Sequence, residues 1–570
     1  MRPANRRRPV RNLSPLLAVF VLVPFVVESV WVFWPAAQGL YLSLTRWDGL
    51  TPPEFVGLAN FAELAGDPIF RGALGNTVLW LVLFGGLSVL GGFGMALLLR
   101  RDRRGVGLYR AALFTPVVFS LVVTALVWRV FYQPDGLADQ VLTAVGLEHL
   151  SRPWLADPDT ALYAVILPAL WRQIGYVMVL YLAGLKAIDP ALYEAAKVDG
   201  AGGLAAAQER HPPAAARGQR GRALGDRHRL AALLRHRLGA HQGRAVPLVR
   251  VAEHLHVLGG VPEPAPRIRI GHRGGHLRAR ARRDPRLSGP CLPGGIMTRG
   301  LRTGAFHGSM ALLSLLWLSP IIWVVLTSLR TFDDVAANGV GSLPRSFTFD
   351  TYRQAWSDGG QLQSLVNSFL VTVPAVALSL LLAAMAAFAL SRYRVPFRRT
   401  LLLVMLAGNL LPPQILLIPV SKFAELTGTY DTLAALVAVH VAFGLGFYTF
   451  VLHGFMRELP GAIQEAATID GAGVAQVFWR IVLPLTRPAL AALGALSFTW
   501  IFNDLLWAIT VLRTDTKMPV TPALLGLQGQ FVSSWNVIAA GTIIAAVPTL
   551  LVFLRFQRHF ISGLAIGAVK

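Results

Sequence analysis

Two similar stretches of the sequence hold the residues whose types and spacing point most directly to a chemical role. Residues 193–202 read Tyr-Glu-Ala-Ala-Lys-Val-Asp-Gly-Ala-Gly, and residues 464–473 read Gln-Glu-Ala-Ala-Thr-Ile-Asp-Gly-Ala-Gly. Glu and Ala favour a helix, and Asp-Gly-Ala-Gly ends it. A short helix of this kind carries no catalytic set, but it can fit a groove on a partner protein. The repeat therefore predicts a docking element.

The elements that carry these stretches are predicted to be membrane-spanning helices. Of the 570 residues, 54% are hydrophobic and 15% are charged, whereas soluble proteins are about 25% charged. A helix needs about 20 apolar residues to cross a bilayer. Four such segments lie in the N-terminal half and six in the C-terminal half: 16–42, 73–99, 108–131 and 161–185, then 311–329, 365–390, 401–420, 433–452, 485–512 and 537–556. The sequence thus predicts an all-α, polytopic membrane protein and argues against a water-soluble enzyme.

Arginine residues indicate how these spans are oriented. They cluster at 2–11, 100–104, 299–302, 392–399 and 555–558, all on one side of the predicted bundle. Lys and Arg mark cytoplasmic loops. We therefore expect a multi-pass protein of the bacterial inner membrane with both termini in the cytoplasm. Each docking stretch follows the fourth span of its half and so lies on the same side.

The second docking stretch continues into a longer pattern. This pattern is Glu-Ala-Ala, three residues, Gly, nine residues, Ile, one residue and Leu-Pro, formed by Glu465, Ala466, Ala467, Gly471, Ile481, Leu483 and Pro484. It resembles the cytoplasmic loop signature of binding-protein-dependent ABC importer permeases of the maltose type. The first stretch matches the start of the same signature at Glu194, Ala195, Ala196 and Gly200.

The resemblance extends to the organisation of the chain. Residues 297–570 resemble the second permease of a maltose-type sugar importer, and residues 1–202 resemble its partner permease as far as the loop. We therefore predict the type I ABC importer permease fold, with a truncated first permease at 1–202 and a second permease at 297–570. With four spans against six, the first half is expected to lack packing partners for its third and fourth spans.

The same resemblance implies a mechanism and a set of partners. An extracytoplasmic binding protein would deliver a sugar, and an ABC ATPase dimer would dock on the cytoplasmic loops and drive alternating access. Glu465 would contact the ATPase, Gly471 would allow the turn, and Leu483-Pro484 would set the loop's exit. The chain has no G-x-x-x-x-G-K-[ST] loop. It is therefore expected to bind no cofactor, to be surrounded by lipid, and to leave ATP hydrolysis to a separate subunit.

One further cluster is a candidate for the substrate pathway. Asn503 and Asp504 lie within the predicted fifth span of the second half, flanked by Trp500 and Trp507. Ionisable residues inside a span are functional candidates, and a carboxylate, an amide and an aromatic face suit a sugar. The alternative is that Asp504 caps or braces a helix.

Residues 203–296 differ in kind from the rest of the chain. They hold 18 Arg, no Lys, five acids, eight of the 13 His, no aromatic residue and the only cysteine, Cys291. One cysteine excludes a disulfide framework. Three interpretations compete: an insert that binds metal or nucleic acid, a disordered linker, and a segment translated out of frame.

We favour the out-of-frame hypothesis. The 103 residues from Glu194 to Ile296 match the 106 from Glu465 to Lys570 in length. A one-base shift turns every histidine codon into one for Ile, Met or Thr, and the codons of Met297-Thr298 then contain a stop. One base lost near 202–204 would have joined two genes. An intact reading frame in independent isolates, with one full-length product, would contradict this hypothesis.

The alternative function is a membrane-anchored regulator that uses 203–296 to bind nucleic acid or metal. Single-stranded nucleic acid favours aromatic stacking partners, and this segment has none. His272 and His276 have no third ligand nearby, which makes a poor metal site. We therefore expect no nucleic-acid partner.

Overall fold

The structure is a computed structural model. It describes residues 15–49, 51–101, 104–134, 136–186, 188, 294–357, 359–527 and 534–568. These residues form two helical halves, which belong to one compact unit and are joined in sequence by residues 189–301.

The described part of the first half consists of helices and one small hairpin. Its elements are α1 (Pro15–Glu28), α2 (Trp34–Ser43), β1 (Thr45–Arg46), β2 (Glu54–Phe55), α3 (Ala59–Gly66), α4 (Pro68–Trp80), α5 (Gly86–Leu99), α6 (Val106–Phe114), α7 (Leu121–Phe131), α8 (Leu137–Ala144) and α9 (Pro158–Lys186). The strands pair antiparallel, with Thr45 opposite Phe55. Single π-helical turns join α1 to α2 and α4 to α5, so that each pair forms one continuous span.

The described part of the second half consists of helices joined by loops. Its elements are α10 (Gly294–Ser328), α11 (Phe332–Asn338), α12 (Asp350–Ser357), α13 (Gln361–Arg392), α14 (Arg398–Gly408), α15 (Pro413–Leu426), α16 (Leu433–Glu458), α17 (Gly461–Ile469), α18 (Val474–Gln476), α19 (Leu483–Leu485), α20 (Arg487–Phe502), α21 (Leu506–Val511), α22 (Val520–Gly526) and α23 (Trp535–Ala568).

The prediction of an all-α membrane protein with about ten spans is confirmed. Seven helices of the described residues are long and apolar enough to cross a membrane, and the count reaches ten when three bent pairs are each taken as one span. The bends measure 102° between α6 and α7, 90° between α14 and α15, and 72° where the segment 474–485 meets α20.

The bends correct the expectation of continuous helices at 108–131 and 401–420. In the first, a tight turn at Thr115–Val118 precedes Ser120, whose hydroxyl caps α7 by accepting the Val123 N–H at 3.0 Å. In the second, Pro412 and Pro413 interrupt the helix, because proline lacks the N–H that the ladder requires.

The expected fifth span at 485–512 is also wrong as a single helix. Helix α20 ends at Phe502, and Asn503 and Asp504 lie in the break before the short helix α21. Asp504 accepts hydrogen bonds from the N–H groups of Trp507 and Ala508, at 3.4 and 3.0 Å. Its carboxylate therefore starts the new helix instead of continuing the old one.

The first helix of each half packs against the other half. Phe20 of α1 lies 6.1 Å from Phe388 and 5.0 Å from Phe478 between ring centroids, inside the core of the second half. In return, α10 packs on the first half, where the Trp171 indole N–H donates to the Trp317 carbonyl at 2.7 Å. The two halves thus exchange their first spans.

The expectation that the third and fourth spans of the first half lack partners is wrong. Phe119, Val122 and Trp128, on or beside α7, share an apolar core with Val520 of α22 and Ile538 of α23. The fourth span, α9, contacts α23 as well. The second half supplies the apolar surface that the first half lacks.

A buried ion pair fixes the exit of α10. Arg330 is 1% exposed, and its Nε donates to Asp334 Oδ2 at 2.7 Å. The same guanidinium donates to the Ser342 hydroxyl at 2.8 Å and to the Gly339 carbonyl at 3.1 Å. Asn536, at the start of α23, donates to the Arg330 carbonyl at 3.1 Å. One arginine therefore ties the loop after α10 to the last span.

The third and fourth spans of the second half meet at a glycine. A Cβ on Gly446 would lie 2.0 Å from the Met405 carbonyl oxygen. Asn409, just after α14, bridges the same contact by donating to the Phe443 carbonyl and accepting the Phe447 N–H at 2.8 Å. The close approach of α14 and α16 requires a residue without a side chain.

We expect Gly446→Ala to destabilise the protein by about 2 kcal/mol, because an added methyl group must push the two helices apart. Gly454→Ala on the same helix is the matched control, since nothing lies within 4 Å of its Cβ and alanine favours a helix. Thermal denaturation of the purified full-length protein measures both. Equal melting temperatures for the two variants would contradict the packing argument.

Candidate functional site: an exposed inter-span loop

Helix α17 presents the Glu-Ala-Ala stretch on the surface of the second half. It begins after Pro460, and Glu465 and Ala466 are exposed. Ile469, its last residue, is 85% exposed, and Ile463 and Trp479 are also exposed. An exposed carboxylate among exposed apolar side chains makes a surface that can dock a partner.

Gly471 ends this helix in a conformation that favours glycine. Its φ is +84°, in the left-handed region. The Gly471 N–H donates to the Thr468 carbonyl at 3.2 Å, and the Ala472 N–H donates to the Ala467 carbonyl at 2.9 Å. These bonds satisfy carbonyls at the helix end and turn the chain towards α18. Gly471 thus makes the turn expected from the sequence, whereas its role in coupling stays a prediction.

The other face of the loop is anchored to the helical bundle. Ala467, Ala472, Val474 and Leu483 pack against the main core of the second half. Ile481 and Pro484 are half-buried and lie on the turn that leads into α20. Helix α17 is therefore packed against the segment that leads into a membrane span.

A second anchor joins the loop to the end of α13. The Arg392 guanidinium donates to the Leu459 carbonyl at 2.9 Å. Burial raises the pKa of the Tyr393 phenol, and a hydrogen bond from the Gln464 side chain acts in the opposite direction. These contacts hold the start of α17 beside the basic loop 392–399.

The first copy of the signature cannot be compared in the same way. Glu194, Ala195, Ala196 and Gly200 lie outside the described residues, as do residues 203–293. The segment boundaries at 202 and 297, the out-of-frame hypothesis and the alternative role of 203–296 therefore stay predictions.

The four residues predicted for the substrate pathway do not share one surface. Trp500 is 49% exposed and lies 5.8 Å from the Phe447 ring. Trp507 is 5% exposed and packs on Phe443, with 4.6 Å between ring centroids. Only Trp500 of the two tryptophans offers an accessible aromatic face.

Asn503 and Asp504 face different neighbours. The Asn503 amide donates to the Val118 carbonyl at 2.8 Å, so the helix break of the second half meets the helix break of the first. Asp504 Oδ2 lies 3.5 Å from His440 Nε2 of α16. Asp504 thus caps α21, as the alternative interpretation holds, and faces a buried histidine. The contact between His440 and Asp504 could not be predicted, because a single histidine in an apolar span gives no signal of its partner.

Together these features define a multi-pass helical membrane protein built from two interlocked halves, with an exposed loop anchored to a span. The chain belongs to the family of binding-protein-dependent transport system inner membrane components. The model of that family matches residues 88–207 and again residues 365–565, together more than half of the chain.

Curated relatives are permease components of transporters, which are not enzymes. The diacetylchitobiose uptake system permease of Streptomyces coelicolor is 31% identical over 266 residues, which cover 46% of this chain and 88% of the relative. The trehalose transport system permease of Mycobacterium tuberculosis is 31% identical over 255 residues, which cover 44% and 92%. The alpha-glucoside transport system permease of Rhizobium meliloti is 36% identical over 233 residues, which cover 40% and 61%.

Among solved structures, a bacterial ABC transporter involved in the import of the acidic polysaccharide alginate matches 48% of this chain and 100% of its own. The TM-score is 0.41 and the sequence identity is 23%. A match at this level does not bear on what this chain binds.

Proposed function

We propose that this chain is the membrane permease of an ATP-driven importer for sugars. The names of three relatives specify diacetylchitobiose, trehalose and alpha-glucosides as their substrates, and these are all carbohydrates. The main support for a role in coupling is helix α17, which is exposed on one face and packed against the helical bundle on the other. A separate ABC ATPase dimer binds this helix, and an extracytoplasmic sugar-binding protein delivers the substrate to the opposite end of the helical bundle.

The orientation follows from the same proposal. Helix α17 and the basic loop 392–399 lie beside each other, and Lys and Arg mark the cytoplasmic side. The docking surface is therefore cytoplasmic, as are both termini. A nucleotide-driven closure of the ATPase dimer moves α17, and the packed turn through Leu483 passes that movement to α20.

We expect Glu465→Lys to weaken the association of the chain with its ATPase about tenfold, because a charge-assisted hydrogen bond is replaced by a like-charge or unpaired contact. The matched control is Glu425→Lys. Glu425 lies at the far end of the third span, where it pairs with Lys422 at 3.0 Å in an exposed position. Copurification of the ATPase subunit from membranes measures the effect. Equal recovery of the ATPase with both variants would show that Glu465 is not part of the interface.

A further inference from the structure

A cluster of polar side chains lies inside the second half, away from helix α17. It lines a narrow slot between α13, α16 and the break at Asp504. Four polar side chains face the slot, namely Ser368, Thr372, His440 and Asp504, and the other walls are apolar. In this conformation the slot is too narrow to admit a water molecule.

Two of these side chains have hydrogen-bonding atoms that no described residue uses. Thr372 is 1% exposed, and its hydroxyl has no partner. His440 is buried, and its Nε2 makes no hydrogen bond, although Asp504 Oδ2 lies 3.5 Å away. Buried polar groups are normally paired, so each unpaired atom calls for a ligand or another conformation.

The other two side chains, Ser368 and Asp504, use only part of their hydrogen-bonding capacity. Ser368 accepts the Val520 N–H at 2.8 Å, which leaves its own hydroxyl proton to donate. Asp504 accepts two backbone N–H groups, and a carboxylate has room for about four hydrogen bonds. The slot therefore offers donors and acceptors side by side.

This set of groups suits a neutral hydroxyl better than an ion. One carboxylate repels anions, and the described residues contain no group of three or more His, Cys, Asp or Glu residues that could hold a metal ion. A hydroxyl group both donates and accepts, and it matches an imidazole nitrogen beside a carboxylate.

We propose that the slot is a binding subsite for the hydroxyl groups of a neutral sugar, contributed by the second half. The subsite rests on the proposed function, since it names the part of the permease that would recognise the substrate. Because the slot admits no water molecule in this conformation, a sugar hydroxyl enters it only if α16 moves away from the α20–α21 break. In the closed form, His440 and Asp504 face each other instead of the sugar.

Saturation-transfer NMR on the full-length chain in lipid nanodiscs tests the subsite, with trehalose and N,N′-diacetylchitobiose as probes. We expect Thr372→Val and His440→Gln each to weaken binding of a probe about tenfold, as the loss of one buried hydrogen bond does. Thr449→Val is the matched control. Thr449 lies on α16, is fully buried and has an unpartnered hydroxyl, but it does not line the slot.

The outcomes separate this proposal from the proposed function. Unchanged affinity in both slot variants, or no saturation transfer from the wild-type chain to either sugar, would overturn the subsite. If the ATPase still copurifies with the chain in that case, the importer assignment survives without the subsite. If a sugar binds at the slot and no ATPase copurifies, the importer assignment fails instead. Melting temperatures of the variants confirm that each is folded.

Discussion

Gly471→Val is expected to reduce copurification of the ATPase subunit about thirtyfold while leaving the amount of chain in the membrane unchanged. The Gly471 φ of +84° lies in the left-handed region, where a residue with a side chain costs about 2 kcal/mol. That cost corresponds to about thirtyfold fewer loops in the docking conformation. Nothing lies within 4 Å of a Cβ at this position, so the helical core is not disturbed. The recovery of ATPase per mole of purified chain measures the effect.

Two other variants isolate the backbone as the cause. Gly473→Val places the same side chain two residues further on, where φ is −71° and nothing lies within 4 Å, and it is expected to retain the ATPase. Gly471→Asn is expected to restore most of the recovery, because asparagine tolerates the left-handed region. If Gly473→Val loses the ATPase as completely as Gly471→Val, the bulk of the side chain matters and not the turn.

Asp334→Ala is expected to destabilise the protein by about 3–5 kcal/mol, because it leaves the buried Arg330 guanidinium without its counter-charge. The first turn of α11 offers a matched control in Asp333→Ala, since Asp333 is an exposed acid one position earlier. Thermal denaturation of the purified chain, together with its yield from membranes, distinguishes the two variants. A melting temperature for Asp334→Ala equal to that of Asp333→Ala would show that the ion pair contributes nothing.

The ion pair between Arg330 and Asp334 also predicts a dependence of stability on pH. The hydrogen bond from Arg330 holds the pKa of the Asp334 carboxyl below its usual value. A lowered pKa means that the folded state prefers the ionised carboxylate. The stabilisation is therefore complete above the pKa of an unfolded aspartate, about 3.9, and is lost as the pH falls from there through the lowered pKa. Denaturation between pH 6 and pH 3 should show a larger drop in stability for the wild-type chain than for Asp334→Ala.

The exposed helix α17 and the turn after it could be predicted from the sequence because their residues are neighbours in the chain. Glu465 is exposed and Gly471 has a positive φ, and both features follow from local rules for helices and their ends. The number of spans follows from hydropathy in the same way. Each of these features needs only a short stretch of sequence.

Contacts between distant residues could not be predicted in this way. The Asn503 amide meets the Val118 carbonyl across 385 positions of the chain, and His440 faces Asp504 from another helix. The exchange of the first spans between the two halves could not be predicted for a different reason. In a membrane, both lipid-facing and protein-facing surfaces are apolar, so hydropathy does not show which half a span will join.

The exchange of α1 and α10 between the halves has a consequence for biogenesis. Because Phe20 fills space beside Phe388 and Phe478, each half completes the core of the other, and neither reaches its final packing by itself. When both halves belong to one polypeptide, their meeting is a unimolecular event whose rate does not depend on expression level. Two separate polypeptides would have to find each other in the plane of the bilayer, so the yield of assembled bundle would rise with their surface density.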